Sequence, residues 1–163
     1  MNPIHPLLKQ PVTNPEIVPV RKGGVTGKIG YFGLTRVGTS GEPKRHNGVD
    51  LLANERDPVY AAHDGVILRA GWQDPLHTNV GYGLRVYLQD LEGKIVTVYA
   101  HLAHLYVKKG QQVAIGDLLG LVGHTGNVGA GPIHLHFEVR RGGLHIDPLP
   151  WLVQYRETGE ILV

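Results

Sequence analysis

Cysteine is absent from the sequence. Disulfide bonds, thiolate metal sites and cysteine nucleophiles are therefore excluded, and a metal or catalytic site has to use histidines and carboxylates. Apolar runs of membrane-spanning length are also absent, and residues 1–13 lack the basic start and apolar stretch of a signal peptide. The sequence itself thus indicates neither a membrane span nor an export segment.

Charge of one sign is not concentrated anywhere in the chain. The formal net charge of +2 is spread along the sequence, and no block of five or six basic residues occurs. A nucleic-acid-binding arm requires such a block, so the charge pattern predicts no nucleic-acid partner.

Glycine and proline are plentiful, and apolar residues come in short runs. The 163 residues include 23 glycines and 11 prolines, while Val, Leu and Ile recur in short stretches, which favours strands joined by turns. No segment keeps a helical period over ten residues. We predict an all-β, mainly antiparallel domain over residues 23–163, preceded by an extended, proline-rich lead-in over residues 1–22.

Several segments have the alternation expected of strands. Residues 84–88 and 95–102 alternate on either side of Glu92-Gly93, which predicts a β-hairpin. Residues 58–70 predict a strand pair that turns at Asp64-Gly65. Further strands are predicted at residues 49–52, 112–115, 118–122 and 135–140, and one turn of helix within residues 148–155.

Ten histidines stand out in a chain without cysteine. His134, His136 and Glu138 alternate with apolar residues, so in a strand these three polar side chains share one face. Two imidazoles at such positions lie roughly 6 to 7 Å apart at Cα, within reach of one site. The opposite, core-facing side is predicted to carry Leu135, Phe137 and Val139.

Two other segments supply titratable side chains. The same alternation predicts that Tyr99 and His101 share a face. His46 and Asp50 would lie roughly 13 Å apart in an extended chain, too far to share an ion. Gly48 permits a tight bend between them, so we expect a loop that folds His46 back towards Asp50 at the start of a buried strand.

Two histidines and one aspartate make a suitable set of zinc ligands. Three protein ligands leave a fourth position for water, whose pKa falls to about 7 on zinc. Each piece alone has a plainer explanation: a His-x-His in a strand is more often a polar pair than a ligand pair, and a His-x-x-x-Asp occurs by chance. Together, and in this order, the segments predict a metal site.

The chain resembles the lysostaphin/LytM-type zinc metallopeptidase family from about residue 30 to residue 152. The resemblance implies that family's fold, with glycine-rich loops around an open groove. The matching motifs are Tyr31-Phe32-Gly33 with Arg36, His46-Asn47-Gly48-Val49-Asp50, Val59-Tyr60-Ala61-Ala62, Gly81-Tyr82-Gly83, Tyr99-Ala100-His101-Leu102, Gly123-His124-Thr125-Gly126-Asn127 and His134-Leu135-His136-Phe137-Glu138-Val139-Arg140.

The resemblance also implies roles for individual residues. One zinc ion per chain is expected on His46, Asp50 and His136. His101 and His134 match the two catalytic histidines, one taking a proton from the zinc-bound water and one stabilising the oxyanion; their division of labour stays open. Substrate contacts are expected from Tyr99 and Asn127, although Tyr99 fits a half-buried strand residue with a hydrogen-bonded hydroxyl equally well.

The implied function is a metalloendopeptidase that hydrolyses peptidoglycan stem peptides or cross-bridges, in the periplasm, in the cell wall or after secretion. The missing export segment leaves a phage-carried enzyme open, and the oligomeric state is not indicated. A catalytically silent relative that binds the wall or activates another hydrolase is the alternative. The short spacing from His46 to Asp50 argues against a carboxypeptidase of the D-Ala-D-Ala type.

The remaining histidines are predicted to lie outside the site. His5 or Asn14 in the lead-in is within reach of the zinc in a latent form, but this is the less favoured interpretation. His63 is expected to be a solvated strand residue rather than part of the groove. Loop or turn positions at the surface are predicted for His77, His104, His124 and His145.

Overall fold

The computed structural model describes residues 8–12, 16–17, 30–152, 154–155 and 161–162, with side chains over 8–12 and 30–152. Within these ranges the regular structure is almost entirely β. The strands are β1 Glu16–Ile17, β2 Gly33–Val37, β3 Pro43–His46, β4 Val49–Leu52, β5 Pro58–Tyr60, β6 Gly65–Trp72, β7 Leu84–Asp90, β8 Ile95–Leu105, β9 Gln112–Val113, β10 Leu118–Val122, β11 His134–Arg141, β12 Leu144–Ile146, β13 Gln154–Tyr155 and β14 Ile161–Leu162, with one 3₁₀-helix at Leu149–Trp151.

The large sheet has the strand order β1-β4-β11-β8-β7-β6-β9. β10 joins it through β5 and β8, and β12 pairs with β11, while β2 and β3 form a separate hairpin. All of these pairings are antiparallel, so the predicted fold class is confirmed. Among the described residues, no helix has the length and apolar character needed to cross a membrane.

The alternation in β11 sorts its side chains as the sequence predicts. Leu135, Phe137 and Val139 are fully buried in the main apolar cluster, together with side chains of β4, β7 and β8. Burial of this face holds the strand in register, because a slip of one residue would turn the whole apolar set towards the other face. The opposite face of β11 is therefore fixed as the one that presents His136 and Glu138.

The predicted hairpin of residues 84–102 is present as β7 and β8, whereas the predicted pairing within residues 58–70 is wrong. Both strands of that segment exist, but β5 pairs with β10 and β6 pairs with β7 and β9. Ala61 explains the separation: its backbone N–H and carbonyl bond to Asp117 and Gly116, beside β10. The chain therefore crosses between two parts of the sheet instead of folding back on itself.

The described parts of the N-terminal segment contact the domain. Leu8 and Val12 are buried in the apolar cluster, and the Leu8 N–H donates to the carbonyl of Trp151 at 2.7 Å. β1 pairs with β4 at the edge of the large sheet. The proposed boundary between residues 22 and 23 lies outside the described residues and stays a prediction, as do the interpretations of His5 and Asn14.

Candidate active site

Strand pairing brings two of the expected metal ligands directly opposite each other. His136 of β11 pairs with Asp50 of β4, and side chains of directly paired residues lie on the same face of a sheet. His136 Nδ1 is 2.8 Å from Asp50 Oδ1. His46 completes the group, because its Nε2 lies 3.1 Å from each of these two atoms. All three side chains are buried.

The approach of His46 to Asp50 depends on the glycine between them, although not in the way that the sequence suggests. His46 is the last residue of β3 rather than part of a loop. Gly48 packs against β11 so closely that a Cβ atom there would lie 2.3 Å from the carbonyl oxygen of Phe137. Glycine is thus required for close packing, and this packing holds the ends of β3 and β4 beside His136.

The donor atoms have the chemistry and the spacing of a zinc site. A tetrahedral ion with bonds of about 2.0 to 2.2 Å separates its ligand atoms by about 3.3 to 3.6 Å. The three separations of 2.8 to 3.1 Å fall close to that value. A positively charged group already contacts two of these three side chains: Arg36 Nη2 is 2.5 Å from Asp50 Oδ2 and 3.0 Å from His46 Nε2. The site therefore favours a cation.

A second layer of side chains surrounds His136. Its Nε2, on the far side of the ring from Asp50, lies 2.9 Å from Glu138 Oε1. Glu138 is fully buried and also accepts hydrogen bonds from the Tyr82 hydroxyl and from Arg140 Nε and Nη2, the latter two at 2.9 and 2.7 Å. The Tyr82 ring stacks on the His136 ring at 5.6 Å. The sequence assigned no role to Tyr82; the only signal was its place in the Gly81-Tyr82-Gly83 motif.

These contacts set the charge states of the group. Burial opposes ionisation of Asp50, but hydrogen bonds from His136 and His46 outweigh it and hold the pKa of that carboxyl well below its ordinary value. Burial likewise opposes the charge on His136, yet hydrogen bonds with Asp50 and Glu138 raise its pKa to about 9. Burial lowers the pKa of His46. The carboxylates thus remain ionised and available as acceptors.

His101 and His134 face the same point from β8 and β11. Their rings lie 5.4 Å apart, and the His101 ring lies 5.7 Å from that of His136. Each Nδ1 is close to a backbone carbonyl, of Thr125 at 2.8 Å and of Pro132 at 2.9 Å. A carbonyl oxygen only accepts a hydrogen bond, so both Nδ1 atoms carry a proton. In a neutral ring the Nε2 atom then has no proton and is able to accept one.

Burial, together with the charges of His136 and His134, lowers the pKa of His101 to about 3. His134 Nε2 lies 3.7 Å from Asp50 Oδ1. Two imidazoles therefore border the three donor atoms, and their catalytic roles stay a prediction.

Tyr99 does not share a face with His101, so that prediction is wrong. Tyr99 is fully buried and packs edge-on against Phe137 on the core side, with its hydroxyl bonded to Ala62 N–H at 2.9 Å. The reason is a bulge in β8, where His101 has φ +63°. The three residue steps from Tyr99 to Leu102 lie opposite only two steps in β7, from Val86 to Leu84. The extra residue turns His101 to the site and leaves Tyr99 no surface for substrate.

Asn127 and the histidines that were not predicted as ligands or catalytic residues lie at separate places in the structure. Asn127 is exposed in the loop before β11, and its role as a substrate contact stays a prediction. His145 is not in a loop but on β12, with Nε2 3.3 Å from Glu138 Oε2. The prediction of a solvated strand residue is wrong for His63, which is half-buried between β5 and β6 and bonded to Thr97 and Asp64. His77 and His124 are exposed and lie outside the strands, as predicted, whereas His104 is exposed but lies on β8 rather than in a loop or turn.

Comparison with known proteins places this site in a family. Residues 44–148 match the model of Peptidase family M23. Over 109 residues the chain is 36% identical to the peptidoglycan DD-endopeptidase ShyC of Vibrio cholerae, covering 67% of this chain and 23% of that protein. Over 130 residues it is 36% identical to the glycyl-glycine endopeptidase ALE-1 of Staphylococcus capitis, covering 77% of this chain and 33% of that protein.

Among solved structures, the catalytic domain of lysostaphin from Staphylococcus simulans superposes with a TM-score of 0.61 at 33% identity, covering 74% of this chain and 86% of that one. The chain spans about a quarter to a third of the length of the two curated relatives above. The family match covers more than half of the chain and contains all five predicted histidine and aspartate positions. The predicted lysostaphin-type resemblance is thus confirmed, and the chain belongs to Peptidase family M23, a family of zinc metallopeptidases.

Proposed function

We propose that this chain is a zinc-dependent endopeptidase that hydrolyses peptide bonds in peptidoglycan. One observation carries the proposal: three donor atoms no more than 3.1 Å apart lie beside two imidazoles whose Nε2 atoms have no hydrogen-bond partner among the described residues. A purely structural metal site would not need that pair. The family membership, and the endopeptidase names of relatives 36% identical, support the same reaction and substrate.

The residues divide into two groups by role. His46, Asp50 and His136 would hold zinc, which when bound supplies an activated water and polarises the scissile carbonyl. His101 and His134 would move the proton and donate a hydrogen bond to the oxyanion, because each presents an Nε2 atom next to the donor group. Their Nδ1 hydrogen bonds to carbonyls fix the rings in the orientation that this requires.

The substrate also determines where the protein would act. Peptidoglycan lies outside the cytoplasmic membrane, so the enzyme would work in the periplasm, in the cell wall or after secretion. Residues 23–163 would form the peptidase domain, with Asn127 at the rim of its groove.

The metal assignment is tested by zinc content. Purified protein should contain about one zinc ion per chain by mass spectrometry of the metal. H136A should lose it, because the variant removes a donor and leaves Asp50 and His46 alone. H101A should keep zinc and lose most turnover. Equal loss of zinc in both variants would contradict the division between ligand and catalytic histidines.

The activity is tested on purified cell walls. The zinc-loaded protein should release soluble fragments, and a chelator should stop the release. Walls with different cross-bridges, followed by mass analysis of the fragments, would identify the bond that is cut. A zinc-loaded protein that is inert on walls of every type would instead favour the alternative, a wall-binding or hydrolase-activating relative.

A further inference from the structure

Three arginines surround one tyrosine on the face of the sheet that carries the site. The guanidinium carbons of Arg140, Arg85 and Arg69 lie 5.0, 5.5 and 5.8 Å from the centroid of the Tyr87 ring. We call these three side chains and Tyr87 the arginine cluster. Its members come from β11, β7 and β6, so the sheet, not a loop, sets their positions.

The strand register puts the arginine cluster beside the zinc donors. Tyr87 pairs with Val98 of β8, which pairs with Glu138 of β11, so Tyr87 and Glu138 are on one face. His136, two residues before Glu138, shares that face. Strands lie about 4.8 Å apart and residues about 3.4 Å, which puts Tyr87 about 12 Å from His136 at Cα. An extended peptide spans that distance with three or four residues.

The charge in the arginine cluster is only partly balanced. Arg140 forms an ion pair with Glu138 at 2.7 Å, but Glu138 is also bonded to His136 and Tyr82. Among the described residues, neither Arg69 nor Arg85 forms an ion pair with a carboxylate. Cation–π contact accounts for their attraction to the ring but supplies no hydrogen-bond acceptor to the guanidinium N–H groups. The cluster therefore has excess positive charge on the face of the sheet that carries His136 and Glu138.

Of the three arginines, Arg85 has buried N–H groups that lack hydrogen-bond acceptors among the described residues. In the described part of the chain its Nε and Nη1 atoms are buried and have no hydrogen-bond partner. Buried donors are nearly always paired, and leaving two unpaired on a charged group costs free energy that a partner would recover. A carboxylate is the partner that fits a guanidinium best, because its two oxygens accept from two N–H groups at once.

We propose that the arginine cluster binds a carboxylate of the peptide substrate, three or four residues from the scissile bond, through a rotation of the buried Arg85 guanidinium towards solvent on that face. This inference rests on the proposed function and narrows it. It predicts that the substrate is an acidic peptide, such as a stem peptide with free carboxylates, rather than an uncharged oligoglycine bridge. Arg85 and Arg69 determine specificity, while His101 and His134 carry the chemistry.

The test compares two substrates that differ only in charge: a cross-linked muropeptide dimer with free stem carboxylates, and the same dimer with carboxamides in their place. The wild-type enzyme should cleave the acid form with a kcat/KM about tenfold higher. R85Q should remove the preference by raising KM for the acid form with little change in kcat. R85K should keep part of it, because lysine keeps the charge without the bidentate geometry.

The matched control is R141Q, which removes the same charge from the neighbouring position on the other face of β11. It should leave the preference intact, and zinc content and thermal unfolding should match the wild type for all variants. Equal kcat/KM values of the wild type for both dimers would overturn the proposal, whether or not R85Q folds.

Failure of the proposed function has a different signature, namely no cleavage of either dimer by zinc-loaded protein. Calorimetric titration with the two dimers then tests binding of the carboxylate independently of cleavage. Tighter binding of the acid form by the wild type, lost in R85Q, supports it. Equal binding of both forms rejects it.

Discussion

Glu138 Oε1 lies 2.9 Å from Nε2 of His136, on the side of the imidazole ring opposite Asp50. The contact keeps a proton on Nε2, since a carboxylate only accepts. In this structure Nδ1 also donates, to Asp50 Oδ1. Once that second proton leaves, Nδ1 is the atom that would act as a ligand beside Asp50 and His46. A buried carboxylate on the outer nitrogen of a ligating histidine also makes that histidine a stronger ligand.

We expect E138A to weaken zinc binding by about 10- to 100-fold, because the outer hydrogen bond of His136 is lost. Competition with a chromophoric chelator measures the affinity. E138Q keeps an acceptor oxygen for His136 Nε2–H and should lose less. E92Q, which removes an exposed carboxylate paired only with Lys94, is the control and should bind zinc as the wild type does. Wild-type affinity in E138A would contradict the role given to this carboxylate.

Gly48 links the packing of the sheet to the zinc donors. In G48A the new methyl group would meet the Phe137 carbonyl at 2.3 Å, so β4 and β11 have to separate. Overpacking of this kind costs about 1 to 3 kcal/mol of unfolding free energy. We also expect weaker zinc binding, because Asp50 and His136 sit on the two strands that move. Urea unfolding and the same chelator competition measure the two effects.

Gly142 provides the matched control for that variant. Its φ is +56° and a Cβ there meets nothing within 4 Å, so G142A is strained by backbone conformation alone. The cost of placing alanine there is about 1 to 2 kcal/mol. Zinc affinity should stay unchanged in G142A, and a loss equal to that of G48A would show that the effect is not specific to the close packing.

The pattern of apolar and polar residues within short segments was sufficient to predict much of the site. Alternation in residues 134–139 predicted which face of β11 carries His134 and His136, because burial of Leu135 and Phe137 allows only one register. The need for His46 to fold back to Asp50 followed from chain length alone. Both features depend on residues that are neighbours in sequence.

Features that depend on distant parts of the chain were not predictable in the same way. The bulge at His101 changes the count of residues in one strand against its partner, which an alternating pattern within one strand does not reveal. β5 and β6 were predicted to pair because they are adjacent in sequence, yet β5 pairs with β10. Likewise, the contact of Tyr82 with Glu138 joins residues 56 positions apart.

Y99F tests the structural role of a residue that the sequence offered as a substrate contact. The variant removes the only hydroxyl that accepts from the buried Ala62 N–H, and leaving that donor unpaired costs about 1 to 3 kcal/mol. KM and kcat of the remaining folded enzyme should be unchanged. Y106F, at a side chain 52% exposed, should alter neither property. A selective rise of KM in Y99F would show that the hydroxyl contributes to substrate binding after all.

His63 should make stability depend on pH. Its Nδ1 lies 2.8 Å from the Asp64 carbonyl and therefore carries a proton, while its Nε2 lies 3.0 Å from the hydroxyl oxygen of Thr97. Burial lowers the pKa of His63 below its ordinary value of 6.5. As pH falls below that value, the unfolded chain binds a proton that the folded chain does not, and the free energy of unfolding decreases.

H63Q removes this titration. At pH 8 the wild type should be more stable than H63Q, because glutamine does not reproduce both hydrogen bonds of the ring. The gap should narrow as pH falls from about 7 to 5, since only the wild type loses stability through His63 in that window. T97V, which keeps the buried ring, should be less stable than the wild type at both pH values and retain its pH slope. Urea unfolding at pH 8, 6.5 and 5 measures all three proteins, and a gap that widens on acidification would mean that the folded state favours the charged ring.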